Sequence, residues 1–195
     1  MPSLKELEKV HPLTRKEWRS WLKVNHAKSP GIWLVSYRKD TGKPCFSYVE
    51  LVEEALCFGW IDSTIYKLDD ERYMHLVVPR RPRSNWSKVN KGHVERLIAN
   101  GLMTPAGLSK IEAAKKDGSW SKFDRVEQLA EPAELKKALR ANPTAKKNFA
   151  AFSPSIKKGL IGWIESAKRP ETRAKRIEIT VEKASRGLRA MFDKE

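Results

Sequence analysis

The 195-residue chain lacks the features that mark several large classes of protein. No apolar run approaches the ~20 residues of a membrane-spanning helix, which excludes an integral helical membrane protein. There are two cysteines, Cys45 and Cys57, at a spacing that fits neither a zinc nor a haem site. They read either as one disulfide or as two reduced, partly buried thiols. A phosphate-cradling glycine loop, a GxSxG elbow and an HExxH pair are all missing. No catalytic residue, metal ligand or cofactor is therefore assigned. The four histidines, His11, His26, His75 and His93, are scattered, and His93 reads as a structural residue on the apolar side of its helix. The opening Met1–Glu8 is too charged for a secretory signal, so a cytoplasmic location is expected.

Negative charge is also scarce, with 24 Asp and Glu against 39 Lys and Arg, a net +15. The excess is uneven: residues 1–78 hold 12 basic and 11 acidic residues, and residues 79–195 hold 27 and 13. Such asymmetry points to an anionic partner, either nucleic acid, acidic lipid or a phosphorylated ligand. The plainer alternative is a soluble basic surface. Seven tryptophans and a 40% apolar content argue for a packed core rather than disorder.

Thr14 and Glu17 form a capping-box pattern ahead of Trp18, Trp21 and Leu22, which share one helical face. Ser29-Pro30-Gly31 ends that helix. Ile32–Tyr37 is rich in β-formers, and Ser47 with Glu50 opens a second helix carrying Val49, Val52 and Leu56 on its apolar side, with Cys57 as a further candidate. Glu50, Glu53 and Glu54 read as its solvated face. Trp60–Tyr66 and Tyr73–Val78, joined by a short polar link, predict an antiparallel hairpin. After Pro79 the pattern is helical throughout. Ser84 or Ser87 caps a helix carrying Val89, Val94, Leu97 and Ile98. Further helices start at Thr104-Pro105, Glu131-Pro132, Asn142-Pro143, Ser153-Pro154 and Pro170. The expected class is α+β: a small antiparallel three-stranded sheet with covering helices in the N-terminal half, followed by an all-helical C-terminal half.

The segment richest in chemistry is Arg80–Asn90. Arg80, Arg81 and Arg83 crowd a strand-to-helix junction. Guanidinium forks bind phosphate or carboxylate bidentately, and a helix N-terminus favours the same charge. Trp86 offers a stacking surface; Ser84, Ser87 and Asn90 offer hydrogen bonds. Trp60, Asp62 and Tyr66 on the preceding strand complete the candidate ligand site. Strand alternation places Asp62 on the same side as Trp60, where an inward carboxylate needs a partner, and an arginine of the 80–83 segment is the expected one. The competing reading makes both serines caps, Trp86 core, and the arginines partners of Asp62, Asp69 or Asp70.

The block Glu54–Ser63 (EALCFGWIDS) resembles a segment of the YdeI/OmpD-associated, or bacteriocin-protection, family. Pro79-Arg80-Arg81 with Ser84, Trp86-Ser87 and Asn90 resembles its next block. Gly101–Gly107, the Ala114–Trp120 region and Ile164–Arg173 follow in family order. The resemblance implies a bacterial protein linked to tolerance of bacteriocins or antimicrobial peptides, in some cases with an outer-membrane porin as partner; it brings no reaction and no catalytic residues. It divides the chain into a YdeI-like α+β domain, 1–126, and a basic helical OmdA-like region, 127–195. The expected function is protection exercised by binding an anionic small molecule or phosphate rather than by catalysis. The alternatives are a nucleic-acid-binding protein using its basic helical half, and an enzyme with a pocket around Asp62 and Arg81. Direct capture of cationic peptides by a +15 chain is electrostatically unattractive.

Overall fold

A computed structural model describes residues 4–193. The first three residues of the charged opening segment lie outside that range. The chain divides into two compact units, Met1–Trp120 and Ser121–Glu195.

The first unit is α+β. Its strands are β1 (Lys9–Val10), β2 (Ile32–Tyr37), β3 (Trp60–Lys67) and β4 (Arg72–Pro79), and its helices are α1 (Arg15–Asn25), α2 (Tyr48–Cys57), α3 (Lys88–Ala99) and α4 (Pro105–Lys116). The sheet order is β1-β2-β4-β3. β2–β4 and β4–β3 are antiparallel, and β1 runs parallel to β2. The expected three-stranded antiparallel sheet is thus a mixed sheet of four strands. The added strand escapes notice because two residues carry no alternation. Its pairing is a backbone matter: the Trp33 N–H donates to the Glu8 carbonyl at 2.9 Å. The β3–β4 hairpin forms as the sequence predicts. Asp69 closes its turn by accepting from the N–H groups of Glu71 and Arg72 at 3.0 and 2.8 Å.

The caps follow the sequence closely. The Thr14 hydroxyl accepts from the Glu17 N–H, and Ser47 with Glu50 forms a complete capping box. Ser87, not Ser84, caps α3. Thr104 caps α4 with Pro105 in the first turn, and its hydroxyl also donates to the Cys57 carbonyl at 2.6 Å, tying α4 to the end of α2. The closeness of that contact requires Gly107: a Cβ there would sit 2.3 Å from the Cys57 carbonyl oxygen.

Trp18, Leu22, Ile32, Leu34, Leu56, Trp60, Val77 and Trp86 form the centre of the first core. Several expected core residues lie outside it. Val49, Val89 and Ile98 are exposed; Leu51 and Ala55 of α2 take inward places, and Cys57 and His93 are buried on the apolar sides where the sequence put them. Periodicity alone does not fix the rotation of a helix whose apolar residues span more than one stripe. Cys45 and Cys57 are both free thiols.

The expectation that Glu50, Glu53 and Glu54 form a solvated face is overturned for Glu53 and Glu54, while Glu50 stays at the partly exposed helix start as the capping-box acceptor for Ser47. Glu54 is buried, 2% exposed, and accepts from Arg15 at 2.7 Å and Arg19 at 2.6 Å. Glu53 meets Arg15 at 3.1 Å, Arg96 at 2.7 Å and His93 at 3.1 Å. Burial pushes the Glu53 carboxyl upward, but the bonds from Arg96 and His93 outweigh it and leave the pKa below its ordinary value. His93 is a structural residue in this network. Cations contributed by α1 and α3 make the carboxylate face of α2 a buried seam.

The second unit is all helical: α5 (Asp124–Glu127), α6 (Ala133–Ala141), α7 (Pro143–Ala151), α8 (Pro154–Glu165) and α9 (Pro170–Ser185). Its core gathers Leu135, Leu139, Phe149, Leu160, Ile161, Ile164 and Ile177. Asn142 and Ser153 cap α7 and α8 ahead of their prolines. Among the described residues, no helix is long and apolar enough to cross a membrane.

Candidate functional site

β4 carries the chain to Pro79, and the ladder continues one step further: the Arg80 N–H donates to the Gly59 carbonyl at 2.9 Å. This bond fixes the backbone from which the Arg80 side chain departs. The side chain then turns inward and is 3% exposed. Its guanidinium carbon lies 3.6 Å from the centroid of the Trp86 ring. One terminal nitrogen donates to the Ser84 hydroxyl at 3.3 Å and the Asn85 carbonyl at 3.1 Å. Its Nε has no hydrogen-bond partner, and no carboxylate of a described residue forms an ion pair with it.

A buried cation without a counter-charge is costly. The cost registers in its titration. Desolvation pulls the Arg80 guanidinium down to about 10, and the more distant Asp62 carboxylate offsets this only in part. The cation–π contact with Trp86 is attractive but supplies no negative charge.

Arg80 lines a cavity of about 60 Å³. A water's share of the liquid is about 30 Å³, so the space suits two waters or one small oxyanion. The 81–84 turn forms one wall. Arg83, at φ +58, donates its N–H to the Asp117 carboxylate at 3.2 Å, which joins the turn to the end of α4. Lys110, Ala114, Asp117 and Ser119 form the opposite wall. Ser119 is 4% exposed. Its N–H donates to Asp117 at 2.9 Å, but its hydroxyl makes no well-formed hydrogen bond although it lies close enough to help hold the Asp117 carboxyl below its ordinary value. One orphaned polar group, the Arg80 Nε, therefore stands at the wall of a small cavity whose lining also holds the Ser119 hydroxyl beside the Asp117 carboxylate. Arg81, Arg83 and Lys110 stand around it against the single carboxylate of Asp117.

The sequence candidates divide. Arg80, Arg81, Arg83, Ser84 and Trp86 line the cavity. Trp86 is 2% exposed, is packed at 5.0 Å from Trp120, and serves as the platform for Arg80 rather than as a stacking surface for a ligand. Ser87 accepts from the Asn90 N–H as the α3 cap, and neither residue lines the cavity. The helix end that reaches it is the C-terminus of α4, whose dipole has the wrong sign for an anion. Any attraction must come from the side-chain cations. Trp60 is buried, with its indole N–H donating to the His26 carbonyl at 3.1 Å. Tyr66 is exposed near the far end of the hairpin, edge-on to Trp33. Asp62 takes the Tyr48 hydroxyl at 2.7 Å instead of an arginine. Burial and Asp62 push the Tyr48 phenol up to about 12. His75 stacks on Tyr48 at 5.4 Å. Asp62 is absent from the walls of the Arg81 cavity.

Lys110, Asp117 and Ser119 went unforeseen. Asp117-Gly118 reads locally as a helix stop, and nothing in its spacing reveals a return to a turn 34 residues earlier. Among the described residues no group of three or more His, Cys, Asp or Glu side chains is arranged to hold a metal ion.

Two family models match the chain. Residues 10–110 match a domain of unknown function, DUF8412, and residues 128–187 match the family described as bacteriocin-protection, YdeI or OmpD-associated. The Glu54–Ser63 and Pro79–Asn90 blocks fall in the first match, and Ile164–Arg173 in the second. No curated protein gives a significant match, and neither does any solved structure.

Proposed function

The chain belongs to the DUF8412 family through residues 10–110, and from that premise we propose that this domain binds a small oxyanion, a phosphate or the phosphate of a larger ligand, in the cavity beside Arg80. The observation that carries the reading is a nine-tenths-buried guanidinium with a free Nε and no paired carboxylate, on the wall of a cavity sized for one such group. A phosphate oxygen would take the Nε–H and the Ser119 hydroxyl and would neutralise the buried charge. Rim cations Arg83 and Lys110 would raise the local anion concentration.

The description of the family matched by residues 128–187 names bacteriocin protection. In our reading, protection is exercised by a protein that binds rather than catalyses, with phosphate occupancy as its input. Support for the binding role is the chemistry of the cavity, which sets the Arg80, Arg83 and Lys110 cations against the one carboxylate of Asp117.

Isothermal titration of the full chain with inorganic phosphate, against chloride at matched ionic strength, tests this. One saturable site is expected, lost in Arg80→Met and weakened several-fold in Lys110→Ala and Ser119→Ala. No heat up to 10 mM phosphate, or an unchanged isotherm for Arg80→Met, overturns the proposal.

A further inference from the structure

The second unit carries a groove unlike the rest of its surface. It lies between α6 and α9 and has a volume of about 570 Å³. Ala174, Ile177 and Val181 recur at three- and four-residue spacing along α9, with Ala138 of α6 across from them. From Ala174 to Ser185 the α9 wall runs about 16 Å, or three helical turns. Small residues on both walls let another backbone approach closely, and an apolar stripe of this length is the kind of surface on which an amphipathic helix lies.

The charge along this groove runs against that of the unit. Residues 121–195 hold 18 basic and 10 acidic residues. Three of those acids, Glu134, Glu178 and Glu182, line the groove, and no lysine or arginine does. Glu134 touches Arg173 only at 3.4–3.5 Å, and Glu182 meets Arg186 at 3.0 Å. These are exposed pairs of the kind that contribute little and exchange readily.

We propose that the groove receives a cationic amphipathic helix from another molecule. Its apolar face would cover Ala174, Val181 and the small part of Ile177 that the core leaves exposed, and its lysines or arginines would meet the three glutamates. The chain's +15 repels such a helix at a distance. At physiological salt the Debye length is about 8 Å, so at contact only the local charges count: the helix's cations would meet Glu178 and take over Glu134 and Glu182 from their exposed pairs with Arg173 and Arg186. This inference does not rest on the phosphate cavity.

The test uses the full chain and two labelled model helices of about 14 residues with the same leucine face, one with lysine and one with glutamine on the polar face. Fluorescence anisotropy at 150 mM salt should show saturable binding of the lysine helix and at least tenfold weaker binding of the glutamine helix. Glu178→Gln with Glu182→Gln should weaken the lysine helix about tenfold. Ala174→Trp, which fills the groove from an exposed position, should abolish binding, with circular dichroism verifying the fold of both variants. Arg80→Met should leave it unchanged. Equal affinity for the two helices, or undiminished binding by both groove variants, overturns the proposal. So does a dimer in sedimentation equilibrium that dissociates on Glu178→Gln/Glu182→Gln, since the occupant would then be a second copy of this chain.

Discussion

Replacing Arg80 with methionine separates two roles that a buried arginine can have. An arginine that holds a core together through a buried carboxylate costs about 3–5 kcal/mol to remove. Arg80 has no such partner. Burial pulls its guanidinium to about 10 from an ordinary value above 12. At 1.36 kcal/mol per pKa unit the charged form carries a penalty of about 3 kcal/mol. Methionine removes that penalty and keeps most of the volume. It forfeits the contact with Trp86, worth about 1–2 kcal/mol, and two hydrogen bonds to Ser84 and Asn85, worth about 1 kcal/mol each. These terms nearly cancel. In phosphate-free buffer, Arg80→Met should therefore unfold within about 1 kcal/mol of wild type, shifting the melting temperature by about 4 °C or less. With phosphate at 100 times its dissociation constant, wild type should gain about 2.7 kcal/mol and the variant nothing. Urea unfolding with and without phosphate, at constant ionic strength, measures both. A loss of more than 3 kcal/mol without phosphate would refute the reasoning, because Arg80 would then be neutralised from within. The comparison is insensitive to pH across the physiological range, where Arg80 is charged in both folded and unfolded chains.

Three further outcomes follow from other parts of the first unit. Glu54→Gln breaks two short bonds to Arg15 and Arg19; both arginines remain about a third exposed and can rehydrate, so the cost should be about 2–3 kcal/mol in denaturant unfolding, and a cost under 0.5 kcal/mol would show that the seam contributes no net stability. Gly107→Ala forces a methyl group onto the Cys57 and Leu56 carbonyls and should cost more than about 2 kcal/mol, with Gly92→Ala, whose Cβ meets nothing, as the control within about 1 kcal/mol; equal melting temperatures for the two variants would contradict the close approach of α4 to α2. Burial holds the His75 imidazole below its ordinary 6.5, opposed only in part by Asp62. The unfolded chain takes up that proton first, so this residue's contribution to stability should fall as pH drops below about 6.5. Its ring resonances should titrate with a midpoint under 6.5, and a midpoint above that value would contradict the burial.

The two matched families bear differently on these outcomes. The cavity beside Arg80 belongs to the first unit, and residues 10–110 supply most of its walls. The acidic groove lies in the second unit, within the span matched to the bacteriocin-protection family. Failure of phosphate binding would leave the groove standing, and failure of the groove would leave the cavity standing.

Local physics was legible from the residues alone. Thr14, Ser47, Thr104, Asn142 and Ser153 cap the helices that their side chains announce, and the β3–β4 hairpin turns where its polar link lies. Each is settled by neighbours within four residues, so the chain carries the whole instruction in one place. The crowding of arginines at Arg80–Arg83 was visible for the same reason. What the sequence left open was which groups separated by tens of residues meet. Glu54 looks solvated along its own helix and becomes buried only because Arg15 and Arg19 arrive from another. Asp62 could have paired with an arginine and instead received Tyr48. The packing of Arg80 on Trp86 and the far wall of Lys110, Asp117 and Ser119 depend on where α4 ends relative to the turn after β4. Whether a charge is buried, paired or left wanting is a property of its surroundings in space, and only tertiary packing could single out one of the clustered Arg80, Arg81 and Arg83 as an unsatisfied cation at a cavity.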